Sequence, residues 1–172
     1  MSAEYKLGVL CGVIAGVLVA LLFIVLMKHK KVIDCHYDER QELARGKAFQ
    51  YAFLTLAALA LIYAALDTIL VLPVDTMAGV FFCLCLAMVV FAVICIRKEA
   101  YLSLYEKPGK VMTLFGLLAA LNIGIGAMYC LQGDMVQNGV LSFRAVNPMT
   151  GVTLLIIMAV YALHLTGRGE EE

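Results

Sequence analysis

Charged residues divide the chain into long uncharged runs. Five runs contain between 19 and 23 residues without Asp, Glu, Lys or Arg, at 7–27, 48–66, 76–96, 111–133 and 145–167. A helix needs about 20 mainly apolar residues to cross the hydrocarbon core of a bilayer. Backbone groups in lipid must be paired internally, and strands of a membrane barrel would alternate over about 10 residues. The pattern therefore predicts five transmembrane helices.

We expect an all-α integral membrane bundle that forms a single membrane domain over residues 1–172. The second span contains Asp67 and ends at the short turn made by Pro73 and Asp75, which predicts a tight antiparallel hairpin of the second and third helices. The predicted spans are 7–27, 48–72, 77–96, 111–131 and 150–165.

Composition narrows the class of protein. Hydrophobic residues make up 63% of the chain and charged residues 15%, with a formal net charge of zero. Soluble domains carry about 25% charged residues, and a small domain cannot bury such an apolar excess in one core. An ordinary soluble enzyme and a basic nucleic-acid binder are excluded, and the first expected partner is the lipid bilayer, without direct nucleic-acid binding.

Lysine and arginine are distributed unevenly between the connecting segments. Eleven of the 13 lie in the segment 28–47, in the segment 97–110 and in the tail, whereas only Lys6 and Arg144 lie on the other side. Cytoplasmic loops of membrane proteins carry the excess of basic residues. We therefore predict an N-terminus outside, a cytoplasmic segment 28–47, a cytoplasmic C-terminus and a multi-pass protein of the cell membrane.

Two helices carry small residues at intervals of four. Such stripes let helices approach closely in lipid. We expect them to serve internal helix packing; the alternative is homodimerisation, or association with another membrane protein, through one stripe. The stripes are Gly8, Gly12 and Gly16 in the first span and Gly116, Ala120 and Gly124 in the fourth.

Asp67 is the one acidic residue inside a predicted span. Intramembrane ionisable residues often handle ions or protons. Tyr63 lies one turn earlier on the same face, and Asn122 or Tyr129 could face the pair from the fourth span. The site Asp67, Tyr63 and Asn122 is thus a candidate ion or proton site, and the alternative is a structural or interfacial aspartate.

Other reactive residues form no familiar site. Cys83 and Cys85 have the spacing C-x-C rather than C-x-x-C, and we expect the helical cysteines to act as small apolar residues; a disulfide among Cys11, Cys83 and Cys130 is the alternative. We assign no metal, no cofactor and no catalytic residue. The candidates considered were His29, Cys35 and His36 for a metal, and Asp67, Asn122 and His164 for catalysis.

The segment before the second span predicts a helix that continues into the membrane. Asp38 is suited to N-cap this helix, with Gln41 at the capping-box position, and Glu42 is spaced to pair with Arg45. This segment could be a solvated extension or a docking face for a cytoplasmic protein. The candidate contact residues are Asp38, Glu39, Arg40, Gln41 and Arg45.

The same segment carries a resemblance. Tyr-Asp-Glu-Arg-Gln at 37–41, followed by Ala-Arg-Gly-Lys-Ala-Phe-Gln-Tyr at 44–51, resembles a family of small uncharacterised multi-span membrane proteins of Gram-positive bacteria. These are often encoded beside a small helix-turn-helix regulator. The resemblance implies a bacterial origin and a regulatory partner, and it supplies no catalytic residues.

The dipeptide Asn138-Gly139, between Met135-Val136 and Val140-Leu141, predicts a short hairpin in the loop 132–149. This hairpin is expected to rest on the membrane surface or to cap the bundle.

For function, we expect a noncatalytic membrane protein that acts through protein contacts, chiefly at 28–47. The first alternative is a small transporter or channel subunit that uses Asp67, and the second is a membrane-embedded enzyme.

Overall fold

A computed structural model describes residues 11, 14–19, 21–22, 25–26, 37–104 and 106–168. The chain groups into two compact units, Met1–His36 and Tyr37–Glu172. In the first unit the described residues are helical and exposed. Gly8, Gly12, His29, Cys35 and His36 lie outside the described residues.

The described residues of the second unit form four α-helices and a small hairpin. The helices correspond to the second to fifth predicted spans, and four helical segments of the described part of the chain are long and apolar enough to cross a membrane. The chain is thus a helical protein suited to a membrane. The elements are α1 (Glu39–Leu70), α2 (Thr76–Arg97), α3 (Pro108–Leu131), β1 (Val136–Gln137), β2 (Val140–Leu141), a 3-10 turn (Phe143–Ala145) and α4 (Val146–Arg168).

The first turn of α1 forms as predicted. The Asp38 carboxylate accepts a hydrogen bond from the Gln41 backbone N–H at 2.6 Å, and the Gln41 side-chain oxygen accepts one from the Asp38 N–H at 3.3 Å. This reciprocal capping box satisfies two of the N–H groups that a helix start leaves unpaired. The cap lies well before the apolar run, and α1 is one continuous helix of 32 residues. The predicted continuation of the capped segment into the second apolar run is therefore confirmed.

The helices pack in the order α1, α2, α4, α3. The turn at 71–75 makes α1 and α2 neighbours, as predicted. Their buried residues are mostly small, and the largest fully buried side chains are Ile96 and Cys95. Small side chains let helix backbones approach closely, which favours association in lipid. One larger cluster, Ala92, Ile96 and Ile157, joins α2 to α4.

The hairpin lies at the end of the bundle opposite to the start of α1. Asn138 and Gly139 have φ values of 52° and 78°, which the tight turn between paired strands requires. Leu141 exchanges backbone hydrogen bonds of 2.8 Å with Pro73 and Asp75 in the turn between α1 and α2. The predicted hairpin is confirmed, and it is hydrogen-bonded to the turn between α1 and α2.

Val71 ends α1 in a left-handed conformation, with φ of 49°, although its β-branched side chain disfavours that region. The Val71 side chain is exposed, so its removal would eliminate few packing contacts. We expect Val71→Gly to stabilise the protein by about 1 kcal/mol, seen as a higher midpoint of thermal unfolding in detergent. Val71→Ala, which retains a Cβ, should give a smaller gain; an equal gain would show that backbone strain is not the cause.

Candidate functional site: a polar clamp at the basic end

One end of the bundle collects most of the described basic residues. The start of α1, the end of α2 and the start of α3 lie at this same end, because successive helices run in opposite directions. We call this the basic end; Arg144 is the one described lysine or arginine at the hairpin end. The basic end carries Arg40, Arg45, Lys47, Arg97, Lys98, Lys107, Lys110 and Arg168.

A polar clamp joins α1 to the loop that follows α2. The Gln41 side-chain nitrogen donates a hydrogen bond of 2.7 Å to the Glu99 carbonyl oxygen. Nη1 of Arg45 donates to the carbonyl oxygens of Ala100, at 3.0 Å, and Tyr101, at 3.3 Å. Three carbonyl groups that follow a helix end are thereby satisfied by side chains from another helix. We define the polar clamp as Gln41, Arg45 and these three carbonyls.

The Arg45 guanidinium is also held by aromatic rings. Its central carbon lies 4.2 Å from the centre of the Tyr37 ring and 5.6 Å from that of Phe91. A guanidinium over an aromatic face is attracted by the ring quadrupole, and its planar donors are pre-organised for several acceptors. Arg45 therefore links the first turns of α1 to α2 and to the loop that follows it.

The clamped loop has little freedom of its own. Glu99 adopts a left-handed φ of 57°, and its carboxylate pairs with Arg40 at 3.4 Å. Tyr101 packs edge-to-face on Phe115, with ring centres 6.4 Å apart. Burial raises the pKa of Tyr101 to about 12, although Arg45 acts in the opposite direction. The phenol consequently remains neutral, and its ring serves packing.

The clamp changes the predicted partner surface. Gln41 is buried, and Arg45 points to the loop instead of pairing with Glu42, so the Glu42–Arg45 ion pair predicted from spacing is wrong. Asp38 is occupied by helix capping. The spacing of Gln41, Arg45 and Ala48 places all three on one helical face. Because Ala48 belongs to the apolar run, its position in the sequence indicates that this face is the buried one.

The opposite face of α1 remains exposed. It includes Leu43, which is 70% exposed, and it lines a shallow groove of about 580 Å³. We call this surface the outer face of α1; its residues are Glu39, Glu42, Leu43, Gly46, Lys47 and Gln50.

The structure does not assemble the predicted ion site. Asp67 and Tyr63 lie on α1 and Asn122 on α3, and these helices are not neighbours in the packing order. The Asn122 amide donates to the Leu118 carbonyl of its own helix at 2.8 Å, while Tyr129 lies under the Arg144 guanidinium, which pairs with Asp134. Asn122 and Tyr129 therefore do not face Asp67.

The glycines at helix contacts differ from those predicted. In the stripe of α3, Ala120 is exposed, a Cβ built on Gly124 would have no neighbour within 4 Å, and one on Gly116 would touch only the Met158 methyl group at 3.6 Å. A Cβ on Gly16, in the first unit, would likewise meet nothing within 4 Å. Among the described positions of the two stripes, Gly116 makes an ordinary contact with α4, whereas Gly16, Ala120 and Gly124 do not form a close helix contact.

Among the glycines that the structure describes, three others make close contacts between helices. A Cβ on Gly126 would come within 2.8 Å of Pro148, and one on Gly151 within 2.6 Å of the Ile123 side chain and 3.1 Å of the Ala119 carbonyl oxygen. A Cβ on Gly79 would collide with the Tyr63 ring. Gly126 and Gly151 therefore define the contact between α3 and α4, and Gly79 that between α1 and α2.

The described cysteines contain no disulfide. Cys83, Cys85 and Cys95 are buried thiols, and Cys11 and Cys130 are exposed thiols. The interpretation of the helical cysteines as small apolar residues is confirmed for the three buried ones. No group of three or more His, Cys, Asp or Glu side chains that could hold a metal occurs in the described part of the chain.

Comparison of the chain with protein-family models, with curated proteins and with solved structures gives no match.

Proposed function

We propose that this protein is a noncatalytic multi-pass protein of a bacterial cell membrane that acts by binding another protein at its basic end, in the cytoplasm. The outer face of α1 is the contact surface. The observation that carries the proposal is the polar clamp, which holds the first turns of α1 in place while leaving Leu43 and its neighbours exposed.

A fixed and exposed surface is suited to binding. A pre-positioned helix loses little conformational entropy when a partner binds, so more of the contact energy appears as affinity. The outer face combines one large apolar side chain, Leu43, with the carboxylates Glu39 and Glu42. An apolar anchor within a polar rim is typical of protein interfaces.

The uneven distribution of basic residues supports the cytoplasmic location of this end. A five-span topology, with residues 7–27 as the first span, places the N-terminus outside and the C-terminus in the cytoplasm. Reporter fusions at the two ends test it: the expected result is opposite sides of the membrane, and both ends on one side would contradict five spans.

The contact function is tested by affinity purification of the full chain from its native membrane in mild detergent. We expect a co-purifying protein that Leu43→Glu and Glu42→Arg remove and that Lys110→Gln, at an exposed position on α3, retains. Co-purification that survives both changes on the outer face would contradict the proposed surface.

The variant Asp67→Asn distinguishes the proposed contact function from the alternative of ion or proton transport. Because the structure places Asn122 away from Asp67, we expect partner capture to persist in Asp67→Asn and reconstituted vesicles to show no ion or proton flux that depends on Asp67. A flux abolished by Asp67→Asn, with an unchanged partner, would favour a transporter.

A further inference from the structure

A second groove at the basic end lies between α1 and α2. Its volume is about 600 Å³, within the range of about 300–1,000 Å³ found for small-molecule sites. It shares Glu39, Leu43 and Lys47 with the outer face of α1 and adds Ile94 and Lys98 from the end of α2. Its proposed ligand is tested below on the purified chain, without any protein partner. The groove is lined by Glu39, Arg40, Leu43, Ala44, Lys47, Tyr51, Ile94 and Lys98.

The charged side chains of this groove have a basic excess. Three are basic and one, Glu39, is acidic. Arg40 is engaged with Glu99. Lys47 and Lys98 are exposed and have no carboxylate within ion-pairing distance among the residues described by the structure. The groove therefore offers two lysine ammonium groups to an anion from outside the chain.

The position of the groove along the helices restricts the kind of anion. Lys47 is the last charged residue before the apolar run of α1, and Lys98 follows the apolar run of α2. Tyr51 and Ile94 lie just inside these runs, with Tyr51 at the depth where tyrosine favours the membrane–water interface. The groove thus has an ammonium rim at the level of lipid headgroups and an apolar part that enters the hydrocarbon.

We propose that this groove binds an acidic phospholipid, with the phosphate between Lys47 and Lys98 and an acyl chain along Tyr51 and Ile94. Basic pockets between transmembrane helices on the cytoplasmic side are suited to anionic headgroups. A soluble phosphate compound would contact only the lysine rim of the groove. An acidic peptide would likewise leave the apolar part of the groove, inside the hydrocarbon, without a contact. An acidic phospholipid uses both.

The test compares lipid binding to the purified full chain in detergent by native mass spectrometry, with phosphatidylglycerol and phosphatidylcholine of the same acyl chains as probes. We expect retention of phosphatidylglycerol by the wild type and a loss of affinity on the order of 30-fold in Lys47→Gln/Lys98→Gln. Lys47→Arg/Lys98→Arg should retain binding. The matched control Lys107→Gln/Lys110→Gln removes the same charge at the same end and should bind like the wild type.

Each other result overturns the proposal. Equal binding of both lipids, an equal loss in the control, or no loss in Lys47→Gln/Lys98→Gln would exclude a specific site. Glycerol phosphate that competes as strongly as the lipid would assign the groove to a soluble phosphate compound. A hexaglutamate peptide that displaces the lipid at equal concentration would assign it to an acidic protein segment. Circular dichroism of each variant verifies that the helices are intact.

Discussion

Replacing Gly151 by alanine is expected to destabilise the protein by about 2 kcal/mol, because overpacking a tight contact commonly costs about 1–3 kcal/mol. The new Cβ would lie 2.6 Å from the Ile123 side chain, 3.1 Å from the Ala119 carbonyl oxygen and 3.2 Å from the Ile123 backbone nitrogen. Two of these atoms are backbone, so rotation of a side chain cannot relieve the contact. The helices α3 and α4 must move apart.

Gly124→Ala is the matched control, since it adds the same methyl group in the middle of α3. A Cβ there has no neighbour within 4 Å, and alanine is the better helix former by about 0.5–1 kcal/mol. We expect opposite signs: Gly151→Ala lowers the unfolding midpoint, and Gly124→Ala leaves it unchanged or raises it. A loss in Gly124→Ala equal to that in Gly151→Ala would show that the predicted stripe is packed after all.

Unfolding of the two glycine variants can be measured through the reactivity of the buried thiols. The chain has no tryptophan, but Cys83, Cys85 and Cys95 are buried and become reactive only when the helices separate. A thiol-reactive dye, followed during heating in detergent, therefore reports unfolding as a second phase after the exposed thiols have reacted. Circular dichroism at 222 nm measures the loss of helix on the same samples.

Arg45→Met is expected to destabilise the basic end by about 3 kcal/mol, from two hydrogen bonds to a charged donor at about 1.5–3 kcal/mol each, less the packing that methionine retains. The carbonyl groups of Ala100 and Tyr101 would lose their donor, and the cation–π contacts with Tyr37 and Phe91 would be lost as well. The loop between α2 and α3 would then be free to move.

Arg40→Met removes the same charge five residues earlier in α1 and serves as the control. The Arg40–Glu99 ion pair is 3.4 Å long and its side chains are 66% and 37% exposed, so its loss should cost less than about 1 kcal/mol. Hydrogen exchange of residues 98–103 locates the effect: faster exchange is expected in Arg45→Met and not in Arg40→Met. Equal exchange in the two variants would contradict the polar clamp.

Features of local origin were predicted from the sequence. The capping box depends on Asp38 and Gln41, three residues apart, and the hairpin turn depends on the positive φ that Asn138 and Gly139 tolerate. The helical segments follow from the lengths of the uncharged runs, because desolvated backbone must pair within its own helix. Each of these rules involves residues close together in the chain.

The face that each helix buries could not be predicted in the same way. In a soluble protein the buried face is the apolar one, whereas in lipid the outer face is apolar too, and burial gives little hydrophobic contrast. Regular spacing therefore suggested Gly116, Ala120 and Gly124, although the packed glycines are Gly126 and Gly151. For the same reason, the sequence did not reveal that Asp67 and Asn122 lie on helices that are not neighbours.

The sequence by itself determined that the chain is helical and suited to a membrane, where α1 begins and that the basic residues gather at one end. Tertiary structure decided the packing order and the role of Arg45, whose acceptors lie 55 and 56 residues away. The physical reason is the separation of the interacting residues along the sequence. Helix caps, turns and the lengths of apolar runs depend on residues that are close together in the chain. A carbonyl group left unpaired at one helix end finds its donor only when another helix packs beside it.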